Sequence, residues 1–167
     1  EPSLEQITAS INDNTKMIVL NYPNNPTGKI LSKKLQKSIV DIAKRNNLYI
    51  LSDEIYSNYS NDEWESVLSY DYDKSIITQS FSKSHSMTGF RIGYVVGSNK
   101  IIEKMATLQA LCLTNVSEPI QFVAMNSINE DVSNNVSIIH ERLDVLSNLA
   151  EKMNLEFESP DGAMYIF

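Results

Sequence analysis

The sequence predicts an α/β fold: a three-layer α/β/α, mostly parallel sheet, followed by the start of a small α+β domain. Three observations carry the prediction. Short apolar runs recur at Met17-Ile18-Val19-Leu20, Leu48-Tyr49-Ile50-Leu51 and Ser75-Ile76-Ile77-Thr78, as strands covered on both faces do. Amphipathic helical stretches alternate with strands, which makes βαβ units with helices on both faces of the sheet. The 167 residues are long enough for a real core and contain no repeat or low-complexity tract.

Each element has a local reason. Ser3-Leu4-Glu5-Gln6 has the form of a capping box, and Leu4, Ile7 and Ile11 share one helical face. Pro23, Pro26 and Gly28 turn the chain into a loop after the first apolar run. A second helix is expected from Ser32, with Leu35, Ile39, Ile42 and Ala43 as its apolar stripe. Lys44 and Arg45 suit its C-terminal dipole, and Asn46-Asn47 can end it. A fourth strand is expected at Ile92-Gly93-Tyr94-Val95-Val96-Gly97, then helices over about 99–113 and 118–129. Val136, Ile139, Leu143, Leu146, Ala150 and Met153 follow at spacings of three and four. That stripe is short for a coiled coil and reads as a core-packing or domain-connecting helix. Leu155-Glu156-Phe157-Glu158 alternates like a one-sided strand, so 1–130 is expected to form one domain and 131–167 the connection to a second.

Composition narrows the function. The formal charge of −7 and pI near 4.8 argue against holding nucleic acid by phosphate neutralisation, or sitting on an anionic membrane. The single cysteine, Cys112, excludes an internal disulfide and a multi-cysteine metal cluster, which points to a reducing, cytoplasmic compartment. No apolar run approaches the roughly 20 residues of a membrane-spanning helix. Glycine is scarce, at five residues, and the apolar ending Gly162-Ala163-Met164-Tyr165-Ile166-Phe167 looks like the middle of a strand.

Right-handed crossovers bring the loops after parallel strands to one sheet edge, where chemistry is expected. Four polar clusters fall there: Asn21 to Gly28; Ser52-Asp53-Glu54-Ile55-Tyr56; Ser80-Phe81-Ser82-Lys83-Ser84; and Arg91 at the mouth of the fourth strand. Each has a plain explanation alone: a turn, a helix cap, a solvated lysine, loop hydroxyls. A phosphate-binding P-loop ending at Lys29 is rejected, because Pro23 stands where it needs glycine and Ile30 where it needs Ser or Thr. Together, an amine, a carboxylate, a phenol, an amide, an arginine and serines are the parts that hold pyridoxal phosphate.

At these residues the sequence resembles the fold-type I pyridoxal-phosphate enzymes, specifically the class I/II, aspartate-aminotransferase-like family. Asn-Asn-Pro-Thr-Gly, Ser-Asp-Glu-Ile-Tyr and Ser-Phe-Ser-Lys with Arg-Ile-Gly-Tyr downstream occur in the family's order, and the likeness runs from about 4 to 167. The resemblance implies part of the family's large domain and a transferase moving an amino group between an amino acid and a 2-oxo acid. Lys83 would form the Schiff base and shuttle the proton, which requires its amine to be neutral at working pH. Asp53 would pair with the pyridine nitrogen, and Tyr56 and Asn25 with the ring oxygen. Arg91, Ser80 and Ser82 would hold the phosphate. The resemblance also implies a cis Asn25-Pro26 peptide, glycines 89 and 93 letting the backbone approach the cofactor, Thr114-Asn115 near a neighbouring subunit in a homodimer, and a place in amino-acid metabolism.

Other polar residues read as structural. His85 is expected to make a local polar contact, His140 to be solvated, and Trp64 to pack in a loop; Asp71 and Asp73 lack further ligands at metal spacing. The family's phosphate-cupping loop and ring-stacking aromatic are expected before residue 1, and its carboxylate-binding arginine after residue 167. The sequence therefore reads as a fragment that holds cofactor weakly and does not turn over. A C–S lyase or other fold-type I enzyme, and a non-catalytic domain of this fold, stay open as alternatives.

Overall fold

A computed structural model describes residues 2–167. Its centre is a four-stranded sheet of β1 (Met17–Asn21), β2 (Tyr49–Asp53), β3 (Ser75–Ser80) and β4 (Gly93–Val96), in that spatial order. The first three strands run parallel and β4 is antiparallel to β3. Five α-helices accompany it among the described residues: α1 (Leu4–Ser10), α2 (Lys33–Arg45), α3 (Asn99–Cys112), α4 (Glu118–Ser127) and α5 (Ser133–Lys152).

The expected start signals operate. The Ser3 and Ser32 hydroxyls accept from the amides of Gln6 and Leu35, capping α1 and α2. Asn46 caps the end of α2 and Asn47 turns left-handed at φ 57°. The α2 stripe then meets one sheet face: Ile39, Val40 and Ala43 share a buried core with Leu20, Ile50 and Ile77, with Leu4, Ile7 and Ile11 packed against it. On the opposite face, Ile102 of α3 and Ile76 of β3 each come within 3.8 Å of where a Gly97 Cβ would stand.

Three expectations need correction. The first strand is not covered on both faces, since Val19 is 64% exposed; periodicity shows which face can be buried, not that a neighbour reaches it. The α5 stripe is buried only in part: Leu143 and Ala150 are buried and Val136 and Ile139 half-buried, while Leu146 and Met153 stand exposed. Residues 155–158 form no strand, because a strand needs a ladder and the segment has one such bond, from the Glu158 amide to the Phe167 carbonyl.

The end of the chain is nonetheless fastened to the loop after β1. The amides of Asp161 and Gly162 both donate to the Gly28 carbonyl, at 2.8 and 2.9 Å. Lys29 Nζ lies 3.0 Å from Glu158 and donates to the Ser159 carbonyl at 2.9 Å. Gly28 sits at φ +68°, where a Cβ would come within 2.8 Å of both the Pro160 Cβ and the Tyr165 carbonyl.

Candidate active site

Parallel strands end at a common edge, and an antiparallel fourth strand begins there, so the four polar clusters gather at one side of the sheet. The register sets Asn21 beside Asp53, Asp53 beside Thr78, and Ser80 beside Gly93. Asp53, half-buried at the end of β2, accepts from Thr78 Oγ1 at 2.9 Å, which fixes its carboxylate. Ser80 Oγ accepts from the Ser82 amide at 3.1 Å and donates to the Ile92 carbonyl at 3.3 Å. These bonds shape the turn that presents Lys83.

Lys83 Nζ lies 5.6 Å from the centroid of the Tyr56 ring, within cation–π range. Tyr56 is buried, and its hydroxyl is hydrogen-bonded to that of Tyr165. The two rings meet edge to face, with centroids 5.5 Å apart and an interplanar angle of 79°. Burial first, then the hydrogen bond to Tyr56 and its charge, push the Tyr165 phenol up to about 12, against the opposing charge of Lys83. Ser82 and Lys83 also line a cavity of about 440 Å³ with Tyr59, Asn135, Arg142 and Met164.

Two other expected residues are more exposed than this group. Arg91 is exposed, holds a left-handed backbone at φ 52°, and donates from Nη1 to the Thr88 carbonyl at 3.0 Å. Asn25 is exposed in the loop, and both Tyr22-Pro23 and Asn25-Pro26 are cis. A Cβ at Gly93 would come within 2.5 Å of the Gln79 carbonyl of the paired strand, while open space surrounds the Gly89 Cβ position to 4 Å. Thr114 and Asn115 line a cavity of about 420 Å³ with Phe81, Ile92, Ala124 and Met125.

The lesser residues resolve individually. His85 Nδ1 pairs with Ser84 Oγ at 2.9 Å, and its ring lies 5.0 Å from Phe81, centroid to centroid. His140, expected in solvent, is half-buried with Nε2 3.4 Å from the Tyr59 carbonyl. No group of three potential metal ligands occurs among the described residues.

Trp64 belongs to a feature that sequence reasoning missed. Glu54, 1% exposed, accepts from Trp64 Nε1, Ser66 Oγ and the Val67 amide, each at 3.1 Å. It anchors the return loop beside Asp53. Tyr165 was likewise missed as a site residue, because its segment suggested only a strand.

The chain matches the family described as aminotransferase class I and II over residues 2–167. It belongs to the class I and II aminotransferase family. The aspartate aminotransferase of Thermotoga maritima is 35% identical over 170 residues, covering 100% of this chain and 45% of that protein. The aspartate aminotransferase of Pyrococcus horikoshii is 34% identical, over 99% of this chain and 44% of its own. The crystal structure of the Thermotoga maritima enzyme superposes with a TM-score of 0.92 at 34% identity, over 98% of this chain and 44% of that one. The Thermus thermophilus aspartate aminotransferase with maleate gives 0.94 at 27% identity, over 99% and 45%. The fold is thus that of the aspartate aminotransferases, and the chain spans less than half the length of these relatives.

Aspartate aminotransferases use pyridoxal 5′-phosphate. The donor set in this aminotransferase chain fits that group: a carboxylate held by Thr78, a buried phenol beside a lysine amine, and a serine hydroxyl and an arginine flanking the β3–β4 edge.

Proposed function

We propose that the whole protein is a pyridoxal-5′-phosphate-dependent aminotransferase that moves an amino group between an amino acid and a 2-oxo acid. The observation that carries this reading is the Lys83 amine against the buried Tyr56 ring, in a chain that matches the family throughout. When bound, the cofactor supplies the electron sink that makes a substrate Cα–H bond acidic. Lys83 would hold the cofactor aldehyde through Nζ and, once the substrate amine has displaced it, would take up the Cα proton at that free amine. Asp53, its carboxylate held by Thr78, would keep a proton at the pyridine nitrogen. Tyr56 and Asn25 would donate to the ring oxygen. Ser80 and Ser82 would hold the phosphate, and Arg91 would exchange its bond to the Thr88 carbonyl for one to it.

The surroundings extend the proposal. Residues 1–130 form part of the cofactor domain, and 131–167 the connecting helix and the beginning of a smaller domain. Leu111, Leu113, Phe122 and Met125, exposed on and between α3 and α4, suit a homodimer contact. An exposed free Cys112 suits a reducing cytoplasm. Among the described residues no helix is long and apolar enough to cross a membrane. Aspartate is the first amino donor to test, given the relatives' names.

In excess pyridoxal 5′-phosphate the chain should develop a visible band that Lys83→Ala abolishes while its circular dichroism is unchanged. A band of equal strength in the variant refutes the role of Lys83. Keto-acid-dependent amino transfer is expected of the full-length polypeptide and not of this chain alone; release of ammonia or pyruvate instead identifies a lyase.

A further inference from the structure

Tyr165 lies 109 positions after Tyr56, in a different part of the chain, yet their hydroxyls meet in a half-buried setting beside Lys83. Little about this contact is adjustable. Tyr56 packs with Tyr59 and Ala163 in a small buried cluster. The Tyr165 segment is held by the bonds from Asp161 and Gly162 to Gly28, by a left-handed Ala163 at φ 61°, and by the close approach of Gly162 to the Tyr59 carbonyl. A phenol oxygen that accepts one hydrogen bond keeps its own proton to donate elsewhere.

We infer that Tyr165 is a positioning residue: its hydroxyl donates to that of Tyr56 and so turns the Tyr56 proton outward, toward the cofactor's ring oxygen. The inference rests on the reading of Tyr56 given under the proposed function. The elevated pKa of Tyr165 agrees with it, since the group retains a proton to donate throughout the working range. Lys83 faces the pair from the β3–β4 connection and is the charged group that opposes this elevation.

Two measurements test the inference. Without cofactor, NMR of ring-labelled tyrosines follows Tyr165 from neutral to alkaline pH. In Tyr56→Phe the Tyr165 midpoint should fall from about 12 toward the ordinary 10.0; an unmoved midpoint overturns the hydrogen bond. With excess pyridoxal 5′-phosphate, the pH titration of the bound visible band is compared between wild type and Tyr165→Phe. Loosening Tyr56 weakens its donation to the ring oxygen. The bound chromophore should then hold its proton about threefold to tenfold more tightly, the scale of one hydrogen bond. Tyr165→Phe keeps the aromatic packing, so a merely structural role leaves that titration unmoved. An identical titration overturns the inference alone, whereas absence of any Lys83-dependent band in the wild type overturns the underlying reading and the inference with it.

Discussion

Replacing Glu54 separates the carboxylate's structural work from that of its neighbour Asp53. Two donors, Ser66 Oγ and the Val67 amide, converge on Glu54 Oε1, and Trp64 Nε1 approaches Oε2, all at 3.1 Å. Glu54→Ala leaves these donors without their acceptor in a site that is 1% exposed. At about 1–3 kcal/mol for each buried donor left unsatisfied, with partial relief by water, the loss should total about 3–5 kcal/mol. Glu54→Gln is a finer instrument. Its amide oxygen can serve Ser66 and Val67, but its NH₂ then points at the Trp64 N–H, donor against donor, for a loss of about 1–2 kcal/mol. Adding Trp64→Phe to Glu54→Gln removes the conflict and should recover most of that loss, a coupling of about 1 kcal/mol. Urea titration at constant slope reads all three: the Ala variant's midpoint should fall by about 1–3 M. An Ala variant within 0.5 kcal/mol of wild type, on the ~1 kcal/mol scale of one hydrogen bond, would refute the account of Glu54 as an anchor.

Two further outcomes follow from the same geometry. Gly28→Ala places a Cβ within 2.8 Å of both Pro160 and the Tyr165 carbonyl on a backbone at φ +68°, so a loss of about 2–3 kcal/mol is expected by calorimetry; an unchanged melting temperature contradicts it. The third outcome concerns alkali. The folded state holds the Tyr165 proton more tightly than the unfolded chain does. Its contribution is therefore intact below 10.0 and lost as pH rises to about 12. Tyr59, Tyr70 and Tyr72, also raised chiefly by burial, act in the same direction. Urea midpoints across that window should fall less steeply in Tyr165→Phe than in wild type, and parallel curves would argue against the shift.

The readable and the hidden parts of this chain differ in the range of the interactions that decide them. The Ser32 cap, the Leu35-to-Ala43 stripe and the Asn46-Asn47 stop lie within one helix, so sequence periodicity suffices to place α2. Asp53, Tyr56 and Lys83 stand at strand ends in a motif order that resembles a family. Val19 and the outer α5 stripe depend on whether a neighbour covers them, which their own spacing cannot say. The Leu155-to-Glu158 alternation satisfies the local rule for a strand and still lacks the ladder. Glu54 and Tyr165 were hidden more deeply. The first sits inside a recognised motif, but its partners are ten to thirteen residues away, at and just before the start of a short 3₁₀ turn. The second contacts Tyr56 across most of the chain, and an apolar ending gives no sign that one phenol in it faces a lysine.

The clasp between Gly28 and residues 161–162 bears on the order in which the molecule can be completed. During synthesis the N-terminal side of a chain emerges first, so β1 to β4 and Lys83 are available well before Tyr165 exists. The Gly28 loop and the Tyr56 hydroxyl must wait for a segment more than a hundred residues later. Closing so long a loop costs only slightly more entropy than closing one half its length, about 0.6 kcal/mol per doubling, so the delay is one of time more than of stability. A ribosome-bound chain stopped before residue 160 should thus carry a formed sheet and a Tyr56 side chain still open to water.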